Sequence, residues 1–123
     1  MSFFTLYLVV AHSAIINAPN NFTVDVGSRV QLDCTSNAEG YLPSWSLSRD
    51  GTSEDIIVIA SFCVVNSDYT YDYYVESDNP GVCNLVIYSV TLAETGVYTC
   101  IDVSLTSASS VVTVVGKYYC LMM

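Results

Sequence analysis

Cysteines are the side chains of this chain best suited to covalent chemistry, and there are five of them: Cys34, Cys63, Cys83, Cys100 and Cys120. None of them lies in a Cys-x-x-Cys pair, the spacing typical of redox motifs and zinc sites. So many thiols in a chain of 123 residues indicate instead that disulfide bonds form in an oxidising compartment. Each well-formed bridge would stabilise a small domain by about 2–4 kcal/mol.

Catalytic chemistry finds little support in the sequence. His12 is the only histidine and lies in an apolar N-terminal run, so a mature chain lacks Ser-His-Asp and Cys-His arrangements and histidine-based zinc sites. No glycine-rich phosphate loop is present either. We interpret the carboxylates on or beside strands and turns as solvated charges: Asp33, Asp50, Glu54 and Asp55. We expect no enzyme activity and no cofactor.

A metal site is the one alternative that the acidic residues leave open. Carboxylates in loops could bind calcium, and the candidates are Asp68, Asp72 and Asp78. Solvated charge is the simpler interpretation of these residues, so we expect no metal.

Length and charge limit the class of protein. The 123 residues, 52% of them hydrophobic, suffice for one domain with its own core. Twelve acidic residues against three basic ones give a formal net charge of −9, which repels phosphate backbones and anionic membranes. We therefore expect a protein partner and no nucleic acid.

Residues 1–14 are interpreted as a secretory signal peptide. An apolar run from Phe3 to Ala11 precedes the small residues Ser13 and Ala14, although no Lys or Arg stands before it. An ordinary first strand is the alternative. The run is too short to cross a bilayer, and no later segment reaches about 20 apolar residues, so no membrane span is expected. The domain is then 15–116 with a tail at 117–123, either secreted or on the extracellular face of the plasma membrane.

Short segments with alternating polarity fill the rest of the chain, and no helical period competes with them. In the clearest segment, Val30, Leu32 and Cys34 share one face of a strand. Strands are predicted at 22–26, 29–34, 43–47, 55–60, 83–87, 97–103 and 110–115, and the aromatic stretch 69–75 suits strand C″ or D. Gly, Asn, Asp, Ser and Pro clusters separate these segments. The pattern predicts an all-β domain.

Cys34, Trp45 and the run Glu94–Cys100 resemble the core of immunoglobulin-superfamily domains, where a tryptophan packs on an inter-sheet disulfide and a tyrosine precedes the second cysteine by two. The resemblance covers about residues 20–115. It implies a two-sheet Greek-key sandwich in which Cys34 bonds to Cys100, with Trp45 and Tyr98 in the core. The long interval between these cysteines leaves room for strands C′ and C″, as in variable-type domains.

Two departures narrow this resemblance. Ser107–Ser110 stands where antigen-receptor variable domains carry an aromatic-Gly-x-Gly bulge, which argues against an antibody or T-cell-receptor chain. The family usually has an aspartate at the turn before the strand that carries the second core cysteine, and this chain has Glu94 there. The segment Tyr71–Tyr74 lacks the basic residue that commonly pairs with that acid. We expect that salt bridge to be missing.

Cys63 and Cys83 are predicted to form a second bridge. Cys83 shares its parity with Leu85 and Ile87, so its side chain should point inward or toward the neighbouring edge. The pair resembles the extra disulfide of some costimulatory and innate-receptor variable domains. Two unpaired buried thiols are the alternative.

The segment between these two cysteines is rich in tyrosine and acid. Tyrosine offers a large contact area with few rotatable bonds and is enriched in recognition surfaces, which makes Tyr69, Tyr71, Tyr73 and Tyr74 candidate partner-binding residues. Half-buried packing within a strand is the competing interpretation. The acids around them would favour a basic partner.

Two further sites concern modification. Cys120 lies beyond the predicted domain, where it could form an interchain disulfide, belong to a tail without function, or mark a truncated reading frame. The last four residues match a prenylation motif formally, but that modification is cytosolic.

Asn21-Phe22-Thr23 is the only N-glycosylation sequon and marks Asn21 as a glycan acceptor in a secreted chain.

The resemblance implies a recognition module, either an adhesion protein or an immune-type receptor ectodomain, that binds a protein partner or its own kind through a sheet face or the end loops. Variable-type domains often pair through the sheet with strands G, F, C and C′, here the outward residues of 44–48, 56–60 and 99–103. A secreted single-domain effector or decoy is one alternative. A structural spacer within a longer adhesion protein is the other.

Overall fold

The computed structural model of the chain describes residues 15–17, 20–37, 41–51 and 55–116. The predicted signal peptide with His12, Glu54, and the tail with Cys120 lie outside the described residues. Those predictions therefore stay predictions.

Eleven short strands and two 3₁₀ turns make up the regular structure of the described residues. The strands are β1 (Ile15–Asn17), β2 (Phe22–Asp25), β3 (Val30–Leu32), β4 (Thr35–Ser36), β5 (Ser44–Ser48), β6 (Ile56–Ser61), β7 (Val64–Val65), β8 (Tyr73–Glu76), β9 (Asn84–Ile87), β10 (Gly96–Ile101) and β11 (Ser107–Val115). The 3₁₀ turns span Ser67–Tyr69 and Leu92–Glu94.

The strands form two facing sheets. Six of them pair in the order β2-β11-β10-β5-β6-β7, three in the order β3-β9-β8, and β1 pairs with β4 as a short ribbon. β2 runs parallel to β11, and the other neighbours are antiparallel. The predicted two-sheet immunoglobulin-like sandwich is confirmed. β6, at the position predicted for C′, and the short β7 extend the larger sheet beyond β5.

The aromatic stretch 69–75 is only partly a strand. Asn66 ends β7 and accepts a hydrogen bond from the Asp68 N–H through its side chain, which starts a 3₁₀ turn over the next residues. Only Tyr73–Glu76 pairs as β8, at the position of strand D. The edge of the larger sheet is formed by the two residues of β7, before this stretch.

The last two strands also differ from the prediction in their bounds. β10 ends at Ile101 because the Asp102 carboxylate accepts hydrogen bonds from residues further along the chain and turns the backbone. β11 begins already at Ser107, pairing with Ile101. The serines of 107–110 thus lie in a regular strand without the aromatic-Gly-x-Gly sequence.

The core lies between the two sheets around the Cys34–Cys100 bridge, whose Cα atoms are 6.5 Å apart. Trp45 and Tyr98 are fully buried beside it. The Tyr98 hydroxyl donates to the backbone carbonyl of Glu94 at 2.7 Å, which fixes the bend into β10. Burying each of the core leucines and isoleucines contributes about 1.5–3 kcal/mol, and they are Leu32, Leu47, Ile59, Leu85 and Ile87.

Gly96 is required where β10 starts against the end of β5. Its φ is +156°, and a Cβ atom there would lie 2.7 Å from the Ser48 carbonyl oxygen and 2.8 Å from Leu47 Cδ1. Side chains do not fit at such distances, so only glycine allows the two backbones to approach this closely.

Candidate partner-binding surface

A second disulfide joins Cys63, just after β6, to Cys83, just before β9, with Cα atoms 5.7 Å apart. It lies beside the first bridge, because the Cys83 N–H donates to the Cys34 carbonyl at 2.9 Å. The Trp45 indole N–H donates to the Cys83 carbonyl at 2.8 Å. The two bridges and the core tryptophan thus form one connected unit.

This second bridge holds a turn of unusual backbone conformation. Phe62 and Cys63 have φ values of 48° and 63°, in the left-handed region that glycine occupies most readily. They form the tight connection between β6 and β7, and the Phe62 N–H donates to the Ser44 hydroxyl at 2.9 Å. The ring of Phe62 packs on Tyr41 with centroids 5.1 Å apart.

Tyr73 is not a partner-binding residue, contrary to the prediction. It is only 4% exposed, because its position on β8 points into the sandwich. Its hydroxyl lies 3.1 Å from that of Tyr98. Burial raises the pKa of Tyr73 to about 12, and burial also raises the pKa of Tyr98. Tyr73 therefore belongs to the core.

The other three candidate tyrosines point in different directions and do not form one surface. Tyr71 is 92% exposed in the turn before β8. Tyr74 lies on the outer face of the three-stranded sheet, where it stacks on Tyr88 with centroids 4.7 Å apart and accepts a hydrogen bond from Arg29. Tyr69 is half-buried in the first 3₁₀ turn. A single tyrosine-rich binding loop is thus the wrong picture of this segment.

Tyr69 lines a small cavity of about 150 Å³ between β5, β6 and the segment before β8. Apolar side chains of β5 and β6 line it together with four charged residues: Arg49, Asp68, Asp72 and Glu94. The Glu94 carboxylate accepts from the Thr91 N–H at 2.6 Å and from its hydroxyl at 2.9 Å, as part of a capping box. Arg49 donates to the Ala93 carbonyl. Arg29 and Glu76, on the three-stranded side of the sandwich, form an ion pair at 3.9 Å.

The outer face of the six-stranded sheet is uncharged along four of its strands. We use this name for the outward residues of β5, β6, β10 and β11, which alternate with core residues. They are Ser44, Ser46, Ser48, Ile56, Val58, Val97, Thr99, Ile101, Ser107, Ser109, Val111, Thr113 and Val115. None of these residues is ionisable, in a chain whose formal net charge is −9. The exposed Asp25, which pairs with Val115, lies outside this set, on the β2 edge of the sheet.

Asp102 fixes the turn between β10 and β11. The side chain is buried, and its Oδ1 accepts from the N–H groups of Ser104 and Thr106 at 3.0 and 3.2 Å. The hydroxyls of Ser104, Thr106 and Ser36 complete the set, at 2.7, 2.8 and 2.9 Å. Burial works against the charged form, but these hydrogen bonds outweigh it and lower the pKa of Asp102.

Several of these residues were not identified from the sequence pattern. Phe62 and Tyr41 have no motif, since the turn that brings Phe62 outward depends on the distant Cys83. Asp102 did carry a signal, because an aspartate followed by Ser104 and Thr106 is the pattern of side-chain-to-backbone turns.

Asn21 lies at the start of β2, on the edge of the six-stranded sheet. Its side-chain carbonyl accepts from the Val111 N–H at 2.9 Å, and the residue is exposed. Among the described residues, no three metal-ligating side chains come together. No helix in the described part of the chain is long and apolar enough to cross a membrane.

No family model and no curated protein matches the sequence. Solved structures do match the fold. The first is Dpr11 IG1 bound to DIP-gamma IG+IG2, with a TM-score of 0.68 and 19% identity over 85% of this chain and 51% of that chain. This chain thus spans about half the length of that match.

Two further solved structures are similar over nearly their whole length. The RIG-5 IG1 homodimer has a TM-score of 0.71 and 15% identity, covering 85% of this chain and 99% of that chain. The complex of titin M10 with a mutant Ig domain of obscurin-like 1 has a TM-score of 0.61 and 16% identity, covering 85% and 93%. At such identities the likeness establishes the fold and leaves the function to the surfaces described above.

Proposed function

Because this chain is an immunoglobulin-fold domain, we propose that it is an extracellular protein-recognition module that binds a protein partner through the outer face of the six-stranded sheet. The observation that carries this proposal is the absence of ionisable side chains from that face, in a chain of net charge −9. Surfaces depleted of charge at their centre are typical of protein interfaces.

The chemistry of the face suits a protein partner. Ile56 and Val58 on β6 are 50% and 48% exposed, so covering them removes apolar area from water. Beside them Thr99 and Ser109 offer hydroxyl groups, which lie 2.9 Å apart and can also bond to a partner. Desolvating such a face costs little, since no charge has to leave water.

The extracellular location is supported by the two intrachain disulfides. A glycan on Asn21, as the sequon predicts, would stand at the β2 edge, because Asn21 is bonded to Val111 there. β6 lies three strand positions beyond β11 in this sheet, separated from it by β10 and β5. A glycan at the edge therefore leaves the β5–β6 half of the face open to a partner.

Bead aggregation with the purified, glycosylated domain tests self-recognition, and a panel of extracellular domains displayed on cells tests other protein partners. The variant Val58→Arg adds a bulky charge at an exposed outward position, so it should abolish binding while leaving the fold intact. Tyr71→Arg, at an exposed position away from the face, is the control. Binding that survives Val58→Arg unchanged would contradict the proposed face. No binding in either assay would favour a spacer domain.

A further inference from the structure

Four tyrosines lie close together in the acidic segment between β7 and β9, and the structure gives each a different environment. Tyr73 is in the core. Tyr74 accepts a hydrogen bond from Arg29 on the outer side of the three-stranded sheet. Tyr69 is half-buried against the cavity that it lines. Tyr71 is the exception, because it is 92% exposed and, among the described residues, none bonds to its hydroxyl.

Tyr71 stands at the tip of a turn. The Asp72 N–H donates to the Tyr69 carbonyl at 3.2 Å, so Thr70 and Tyr71 are the two central residues of a β-turn. The turn follows β7, at one edge of the six-stranded sheet, whereas Asn21 lies beside β2 at the other edge. An enzyme can therefore reach the Tyr71 hydroxyl without opening either sheet, and a glycan on Asn21 does not cover it.

Two carboxylates flank this hydroxyl in the chain. Asp68 precedes Tyr71 in the 3₁₀ turn, Asp72 follows it directly, and both side chains are exposed. Neither carboxylate forms an ion pair with a residue that the structure describes, unlike Glu76, which is paired with Arg29. Their negative charge is therefore open to a basic protein that approaches Tyr71.

We propose that Tyr71 is an acceptor for tyrosine sulfation, by an enzyme of the secretory pathway that uses an adenine-nucleotide sulfate donor. The inference rests on the extracellular location proposed above, because such an enzyme acts on chains in transit to the cell surface. The phenolic oxygen attacks sulfur and forms the new O–S bond, while the bond from sulfur to the bridging phosphate oxygen breaks. The nucleotide leaves with that electron pair, and the phenol proton passes to a base of the enzyme.

Charge and exposure together select this one tyrosine. An enzyme that holds an anionic nucleotide sulfate needs cationic groups around its cleft, so carboxylates beside the acceptor favour docking. The sequence gives Tyr69, Tyr73 and Tyr74 almost the same acidic neighbours. Burial of Tyr73, partial burial of Tyr69 and the hydrogen bond of Tyr74 withhold those hydroxyls from an enzyme. Tyr71 combines the flanking acids with an accessible hydroxyl.

Transfer in vitro tests the acceptor independently of location. The folded domain with both disulfides intact is incubated with a purified tyrosylprotein sulfotransferase and a radiolabelled nucleotide sulfate donor, and peptide mass mapping locates the label. Label should enter wild type and be lost in Tyr71→Phe, whose thermal midpoint should equal that of wild type because the removed hydroxyl is exposed. Tyr88→Phe is the control and should keep the label, since Tyr88 is 50% exposed but residues 83–93 contain no acid.

Two further measurements separate the contributions of charge and of the fold. Asp68→Asn combined with Asp72→Asn should slow transfer about tenfold at low salt, and the difference should shrink as salt is added. Reduction and unfolding of wild type should let the same enzyme label Tyr69 and Tyr74 as well. A folded domain labelled on all the tyrosines that the unfolded chain offers would show that the structure does not select Tyr71.

Wild type that takes up no label, or Tyr71→Phe labelled as strongly as wild type, would overturn the inference. In secreting cells, the domain recovered from the medium should carry one sulfate on Tyr71 that alkaline phosphatase does not remove. A modification that the phosphatase removes would assign Tyr71 to a kinase instead. A secreted domain without sulfate would contradict the inference alone, whereas a domain retained inside the cells would contradict the extracellular location as well.

Discussion

The indole N–H of Trp45 donates to the backbone carbonyl of Cys83 at 2.8 Å, and this bond connects the core tryptophan to the second disulfide. The tryptophan is therefore more than a large apolar side chain against the Cys34–Cys100 bridge. It also sets the position of the strand entry at which Cys83 reaches across to Cys63. Packing in the core and the shape of the Phe62 turn thus depend on one residue.

Trp45→Phe should lower the free energy of unfolding by about 2–4 kcal/mol, because the Cys83 carbonyl loses its donor and a space opens beside the bridge. Urea unfolding with both disulfides intact measures this change. Tyr71→Phe, at an exposed position, should change the value by less than about 0.5 kcal/mol. A Trp45→Phe protein as stable as wild type would mean that the indole bond contributes nothing.

Gly96→Ala should destabilise the fold by about 2–4 kcal/mol, since the added methyl group collides with the Ser48 carbonyl oxygen and with Leu47. Gly27→Ala is the matched control: Gly27 also has a positive φ, 93°, but a Cβ there meets no atom within 4 Å. It should lose only about 1–2 kcal/mol, the cost of the backbone conformation alone. Equal losses in the two variants would argue against the collision.

Asp102→Asn should be less stable than wild type by about 1–3 kcal/mol at pH 7, because the amide can no longer accept the full set of hydrogen bonds. The hydrogen bonds in the fold hold the pKa of Asp102 below its ordinary value of 3.8. Its contribution is therefore present above about pH 4 and is lost as the pH falls through the lowered value. Urea unfolding at pH 7 and pH 3 should show the two proteins converging in acid. A constant gap, or one matched by Asp72→Asn at an exposed position, would contradict this account.

Tyr73→Phe should reduce the loss of stability at alkaline pH. Burial raises the pKa of Tyr73 from 10.0 to about 12, so the unfolded chain ionises first. Stability from the neutral hydroxyl is full below pH 10 and is lost as the pH rises toward 12. The variant should be about 1 kcal/mol less stable at pH 8, where it lacks the bond to Tyr98. Urea midpoints at pH 8 and pH 11 give the stability difference from wild type and the loss of stability on going to alkaline pH. If the variant loses as much stability as wild type between these pH values, Tyr73 is not the source of the loss.

The sandwich was predictable because its core residues recur at every second position of the strands. Val30, Leu32 and Cys34 alternate along one strand, and Trp45 with Tyr98 supplies the packing around the bridge. Such alternation decides which face of a strand is buried, whatever the neighbouring sheet looks like. The pattern locates strands well and their ends poorly, since Asp102 ends β10 through side-chain bonds.

The binding surfaces were less accessible from the sequence, and the tyrosines show why. Tyr73 and Tyr74 are neighbours on β8, yet one is in the core and the other stacks on Tyr88 outside. Alternation requires this separation, but it does not say which of the two points inward until β8 is paired with β9. Phe62 depends on a contact still more distant in sequence, because its turn is held by Cys83.

The parallel pairing of β2 with β11 determines how the domain carries mechanical load. Phe22 pairs with Val112 and Asp25 with Val115, so the chain enters β2 and leaves β11 at opposite ends of the same short ladder. Pulling on the two ends of the domain therefore slides these strands past each other. The hydrogen bonds of the ladder, which cross between the strands, are then loaded together and must break almost simultaneously. A domain built in this way resists tension applied between its two ends.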